Sequence, residues 1–176
     1  MYQPYPPASG LPQQPPRIQP PRSVLTAVKL MYAGAALSAL LLVITLVTIG
    51  SLKAAIVARH PDYTAAQLHA AEIAGVASAV IGGLIEIGLW LWMAWANGGG
   101  RGWARVLSAV FFGINTVTLI IFPFLPADRL PPAAGGVRSA ATLIIAPLLW
   151  LVGLGVIVLI FSKRSGPFYK QQAAAL

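Results

Sequence analysis

The sequence predicts an all-α protein: a four-transmembrane-helix bundle with a disordered Pro-rich N-terminal tail. Four apolar stretches, residues 30–52, 73–96, 106–125 and 140–161, are each long enough to cross a bilayer core. Only 9% of the 176 residues are charged and 57% are hydrophobic, whereas soluble domains carry about 25% charged residues. A soluble fold cannot bury that much apolar surface, so lipid must solvate much of it. The charges also gather at the ends of the stretches, and Glu86 is the one formal charge lying well inside any of them.

The first 22 residues hold Pro4, Pro6, Pro7, Pro12, Pro15, Pro16, Pro20 and Pro21, with Gln and Tyr filling much of the remainder. Proline fixes φ and removes a backbone donor, so residues 1–22 read as an extended, disordered cytoplasmic arm. Helix one follows over about 24–59, with Ser23 as its expected N-cap. Nothing in the sequence breaks it before His60-Pro61, so it should outlast the membrane. The turn at 60–63 leads to Thr64-Ala65-Ala66-Gln67, which has the form of a capping box opening helix two at 65–97. The connector Asn97-Gly98-Gly99-Gly100-Arg101-Gly102 is tight, which makes helices two and three antiparallel neighbours. Helix three covers about 104–125 and ends at Pro123 and Pro126. A Pro/Gly-rich loop leads to helix four at 139–162, where Pro147 should introduce a kink. A short basic tail, 163–176, closes the chain, and there is no convincing internal repeat. The first apolar run is too long for a signal-peptide core and lacks a clear cleavage site, so helix one is expected to be retained.

Charge sets the orientation. Arg17, Arg22, Lys29, Arg101, Arg105, Lys163, Arg164 and Lys170 share one side of the predicted bundle, with no acid among them. The other side carries Lys53, Arg59, Arg129 and Arg138 together with Asp62, Glu72 and Asp128. Positive-inside reasoning puts both termini in the cytoplasm of a multi-pass protein of the cell (inner) membrane. Trp90, Trp92, Trp95 and Trp103 would then cluster at the cytoplasmic headgroups. The net charge of +8 points to anionic lipid rather than nucleic acid, because no basic run is interleaved with exposed aromatics. The absence of Cys excludes disulfides, thiolate catalysis and Cys-ligated metal.

Glu86 is the leading candidate site residue. A charge at mid-bilayer costs about 2.5–3.5 kcal/mol on insertion scales, so it must be neutral, paired or facing a wet cavity. If helices two and three pair about a connector centred near Arg101, Glu86 lies level with Asn115, each about 15 Å in from the cytoplasmic end. The two are expected to form an intramembrane polar pair. Glu86 continues a row of small residues, Ser78 and Gly82, while Ala71, Gly75, Ala79 and Gly83 form a parallel row. Such rows admit close helix contact. A proton or cation relay is one reading of Glu86. A carboxyl that joins helices by hydrogen bonding is preferred, because a transport path normally needs more than one ionisable group.

Other constellations carry less. His60, Asp62, His69 and Glu72 surround the outer hairpin, but their spacing matches no metalloenzyme motif, so no metal site and no cofactor are assigned. Pro12-Gln13-Gln14-Pro15-Pro16-Arg17 has the PxxP form that docks into aromatic-lined grooves; such matches arise easily in so Pro-rich a segment, so an inert, flexible tail is preferred and a protein-docking arm is the alternative. The loop and cytoplasmic serines (Ser51, Ser139, Ser162, Ser165) have no neighbouring His–acid pair, and Gly98-Gly99-Gly100 lacks the strand and Lys of a phosphate loop, so no enzyme is expected.

The segments RSVLTAVKLMYAGAAL, HPDYTAAQLHAAE and GLWLWMAWANGGGRGWARVLS, after the Pro/Gln-rich start, resemble a group of uncharacterised four-helix integral membrane proteins of actinobacteria. The resemblance spans nearly the whole chain and brings no catalytic residues. Small multidrug resistance transporters also have four helices and a membrane-embedded Glu. Theirs lies in the first helix and their tail is minimal, so their functional residues do not carry over. The expected function is a non-enzymatic membrane scaffold or accessory subunit, self-associating or joining a membrane-protein partner. The alternative is a small proton- or cation-coupled transporter using Glu86.

Overall fold

The computed structural model describes residues 19–121, 124–125 and 140–174. Most of the Pro-rich tail, including the PxxP segment Pro12–Arg17, and the Pro/Gly-rich loop 126–139 lie outside the described residues. All regular structure among the described residues is helical: α1 (Arg22–Val47), α2 (Ile49–Arg59), α3 (Ala65–Gly98), α4 (Gly102–Ile121), α5 (Ala140–Ile160) and α6 (Gly166–Ala174). Four of them, α1, α3, α4 and α5, are long and apolar enough to cross a membrane.

Each helix starts or stops for an identifiable reason. Pro21 is extended and serves as N-cap residue of α1, its carbonyl accepting the N–H groups of Val24 and Leu25 at 2.9 and 3.1 Å. The expected cap, Ser23, lies inside the helix instead. Its hydroxyl is spent on Ser165, 2.8 Å away. The single first helix expected over 24–59 is interrupted at Thr48. There the hydroxyls of Thr45 and Thr48 donate to the carbonyls four residues back, Leu41 and Ile44, both at 2.8 Å. Back-bonding of this kind bends helices, and the β-branched run Val47-Thr48-Ile49 before Gly50 adds further helix-weakening residues. The capping box at α3 is present as expected: Gln67 N–H donates to Thr64 Oγ1, and Thr64 N–H donates to Gln67 Oε1 at 2.8 Å. At the other end of α3, Gly100 has φ 68°. Its N–H bonds to the Asn97 carbonyl and the Arg101 N–H to the Ala96 carbonyl, the paired bonds of a Schellman termination that glycine alone enters without strain. Pro147 sits within α5 without ending it.

α1 is the central helix, packing along α3 on one side and α5 on the other. α2 lies against the start of α3. One end of the bundle, here called basal, gathers the start of α1, the α3–α4 connector, the end of α5 and all of α6. The core is basal as well: Ala27, Met31, Met93, Ala94, Val156 and Ile160 are buried together. Elsewhere the large apolar side chains point outward, and only 6% of the apolar window of α3 and 11% of that of α4 is buried inside the protein. That surface requires an apolar solvent.

The expected α3–α4 pairing is only partly realised. The two helices are linked by the tight connector, yet they touch each other less than α4 touches α5. The small row Gly75/Gly83 of α3 faces the other way, toward α2 and α1. A Cβ at Gly75 would come within 2.9 Å of Leu52, and one at Gly83 within 2.9 Å of Leu42. At Gly82 it would meet nothing within 4 Å, so the row Ser78/Gly82 faces outward. Between α3 and α4 stand bulky side chains instead, and they enclose a cleft.

Candidate intramembrane cleft

The cleft has a volume of about 270 Å³ and lies among α3, α4 and α5, with Met31 of α1 behind it. Its walls are aromatic and aliphatic: Trp90 from α3, Phe111 and Phe112 from α4, Trp150 from α5. Glu86, Asn115 and Ser108 are the polar lining residues. Asn115 is exposed and its neighbour Ile114 is 59% exposed. The mouth of the cleft therefore opens sideways, onto the surface that acyl chains would cover.

Glycines set these walls. Trp90 rests on Gly34 of α1, where a Cβ would approach the indole to 2.8 Å. Gly153 of α5 receives Phe112, and a Cβ there would lie 3.0 Å from that ring. Phe112 in turn packs against Trp150 with ring centroids 5.7 Å apart. The Trp150 indole N–H donates to Thr116 Oγ1 at 2.9 Å, and Thr116 donates to the Phe112 carbonyl at 2.8 Å. α4 and α5 are thus held at their spacing by ring packing and one part-buried hydrogen bond.

The predicted pair, Glu86 and Asn115, is brought to one cleft but not joined by a hydrogen bond. Glu86 is half-buried, and its Oε1 accepts from the hydroxyl of Ser38 of α1 at 3.0 Å. Ser38 is 3% exposed, so this contact lies inside the bundle while Asn115 stands across the cleft. Pairing about Arg101 predicts similar depth for the two residues; the rings of Trp90, Phe111 and Phe112 stand between α3 and α4. Ser38 shares the first apolar span with Thr45, Thr48 and Ser51, and the sequence alone does not set it apart from them.

The floor of the cleft is a buried polar chain. Asn97, fully buried, donates to the Met93 carbonyl at 3.0 Å and to Ser108 Oγ at 3.1 Å. Ser108 donates to the Met93 sulfur at 3.4 Å. Tyr169 of α6 donates its hydroxyl to Asn97 Oδ1 at 3.0 Å. Burial pushes the Tyr169 phenol up to about 12, against the opposing pull of the Arg105 charge. The Arg105 guanidinium stacks 4.3 Å over Phe161 and 5.5 Å from the Tyr169 ring, and its Nε is buried with no hydrogen-bond partner. The short basic tail expected over 163–176 includes a helix, α6, that seals this end. Ser165 reinforces the seal by bonding to Ser23, to Ser162 and to the Leu159 carbonyl.

The remaining candidates fall elsewhere. The four indoles expected at the headgroups divide: Trp92 packs on Trp103 and Trp95 lies under Arg101 at the basal surface, whereas Trp90 turns inward to the cleft. His60 stacks on Tyr63 with ring centroids 4.4 Å apart. Among the described residues no group of three His, Asp or Glu side chains could hold a metal.

An all-helical bundle with four apolar spans and outward-facing apolar side chains is the signature of a multi-pass membrane protein. No protein-family model, curated protein or solved structure matches this chain, so function must be argued from the cleft.

Proposed function

We propose that the protein is a non-enzymatic, multi-pass protein of the cell membrane that binds a small, mostly apolar molecule in the cleft among α3, α4 and α5, entering from the bilayer. The observation that carries this reading is the open volume of about 270 Å³ beside the one acid within a span. Interiors pack to crystal-like density, and a carboxyl kept only to join two helices needs no space next to it. Ligand pockets start at roughly 300 Å³ and pair apolar walls with a few placed polar groups; the cleft has that lining and a volume just below that range. Movement of the occupant or of a proton across the membrane, with Glu86 as the charged step, is the transport form of the same reading. Both termini are cytoplasmic in it, supported by Arg22, Lys29, Arg101, Arg105, Lys163, Arg164 and Lys170 gathering at the basal end.

Photolabelling in native membranes with a trifluoromethyl phenyl diazirine tests it. Adducts should concentrate on Trp90, Met93, Phe112 and Trp150, above lipid-facing Leu84 and Val106. Replacing Asn115 with Phe at the mouth should abolish that excess while leaving thermal stability unchanged. Labelling spread evenly over the lipid-facing surface would overturn the reading.

A second reading, a membrane scaffold or accessory subunit, is favoured by one specific feature. Ala74, Ser78 and Gly82 form an exposed row of small residues on α3, the kind of surface a further helix approaches closely. A second copy or a membrane-protein partner would lie there, with the Pro-rich tail as a docking arm. The resemblance of the sequence to actinobacterial four-helix membrane proteins fits either reading.

A further inference from the structure

We infer that the occupant of the cleft is a small organic cation, an ammonium group carrying an aromatic or short alkyl body; this rests on the cleft-binding reading above. The charge balance of the lining comes first. Among the described residues, Glu86 is the one ionisable side chain lining the cleft, with no Lys or Arg in that lining. Ser38, its hydrogen-bond donor, is neutral and engages Oε1. Oε2 has no hydrogen-bond partner among the described residues. Among the described residues, no cation therefore stands in the cleft lining as a counter-charge to the Glu86 carboxyl.

The walls supply the second term. Trp90, Trp150, Phe111 and Phe112 surround the space, and the faces of such rings attract a cation through their quadrupoles, the more so when it is desolvated. Trp150 has already spent its indole N–H on Thr116, so it offers an apolar ring rather than a donor. The thioethers of Met31 and Met93 are soft and adaptable neighbours for a ring or alkyl group.

Coordination chemistry argues against the divalent cations. Calcium and magnesium need about six or more oxygen ligands, whereas Ser108 is engaged with Asn97 and Met93 and only Glu86 and Asn115 remain. The remaining lining, Leu89, Leu149, Val156 and Ile157, suits the hydrocarbon of an ammonium compound rather than a hydration shell. A volume of about 270 Å³ admits one substituted ring. Entry past Asn115 and Ile114 means that the cation reaches the cleft after partitioning into the bilayer.

An isosteric pair tests the charge alone. Benzyltrimethylammonium and neopentylbenzene have the same shape and differ by nitrogen for carbon. Each competes against the phenyl diazirine label for the full-length protein in lipid nanodiscs, with free concentrations corrected for partitioning. The ammonium compound is expected to protect Trp90, Phe112 and Trp150 at least tenfold more effectively than its neutral isostere. Glu86→Gln, which keeps an acceptor for Ser38, should erase that advantage while the label still enters. Phe112→Leu should weaken ammonium protection severalfold. Equal protection by the two compounds, or an ammonium advantage that survives Glu86→Gln, would overturn the inference and leave an apolar binding cleft standing. Failure of the label to enter the cleft of the unaltered protein would instead remove the underlying reading, and the inference with it.

Discussion

The contact between Glu86 and Ser38 is where the chemistry of this molecule is decided. A carboxyl this deep in a span survives only with a partner, and the partner is a hydroxyl on α1 rather than the amide on α4. Hydrogen bonds between membrane helices are worth about 0.6 kcal/mol on average and up to about 1.7 kcal/mol. Unfolding Ser38→Ala, Glu86→Leu and the double variant in mixed micelles should therefore give a coupling energy in that range. The matching cycle of Glu86→Leu with Asn115→Leu should be additive within about 0.5 kcal/mol, as for residues that share no direct contact. Coupling in the second cycle and none in the first would reassign the partner. The sequence made Glu86 conspicuous because a lone acid in hydrocarbon is rare. It hid Ser38, since a serine in a span is unremarkable and its facing depends on how α1 packs. It hid the role of Trp90 for the same reason: the pocket that admits the indole is a missing side chain, Gly34, on another helix.

Among the elements, those bounded by local chemistry were legible and those bounded by tertiary contact were not. The capping box of α3 and the glycine termination before Arg101 are written in neighbouring residues. The break at Thr48 needed the competition between threonine hydroxyls and the backbone ladder, and α6 needed a surface to dock on, since a nine-residue helix is marginal alone. That surface is Val24 below Phe168 and Tyr169, with Asn97 receiving the phenol. Tyr169 carries the pH sensitivity of this seal. Its folded pKa is raised from 10.0 to about 12, so its contribution is fully present below pH 10.0 and is lost as the pH rises through about 12. A difference titration of phenolate absorbance, wild type minus Tyr169→Phe, should show a midpoint near 12; a midpoint near 10 would mean the ring is not buried. Tyr169→Phe should also cost about 1–2 kcal/mol, by leaving Asn97 Oδ1 buried without its donor.

For the whole molecule, the solvent is the organising fact. The four spans, the outward apolar side chains and the basal gathering of cations follow from composition and spacing, because insertion into a bilayer constrains length and charge more tightly than any packing detail. The cleft does not follow from them. It arises because α3 and α4, joined by a short connector, are spread by Trp90, Phe111 and Phe112 and closed below by the Asn97–Ser108–Tyr169 chain. A pairing rule for adjacent helices predicts contact there, and ring volume prevents it. The consequence is that the Glu86 carboxyl should be reachable from hydrocarbon and shielded from water. Treating native membranes with dicyclohexylcarbodiimide, which partitions into lipid, or with a water-soluble carbodiimide, and mapping adducts by mass spectrometry, tests this most directly. The lipid-soluble reagent should modify Glu86, and Asn115→Phe should block it, while the water-soluble reagent reaches only acids outside the spans, such as Asp62 and Glu72. An unmodified Glu86 with the first reagent, or equal modification by both, would contradict a cleft that opens to the bilayer.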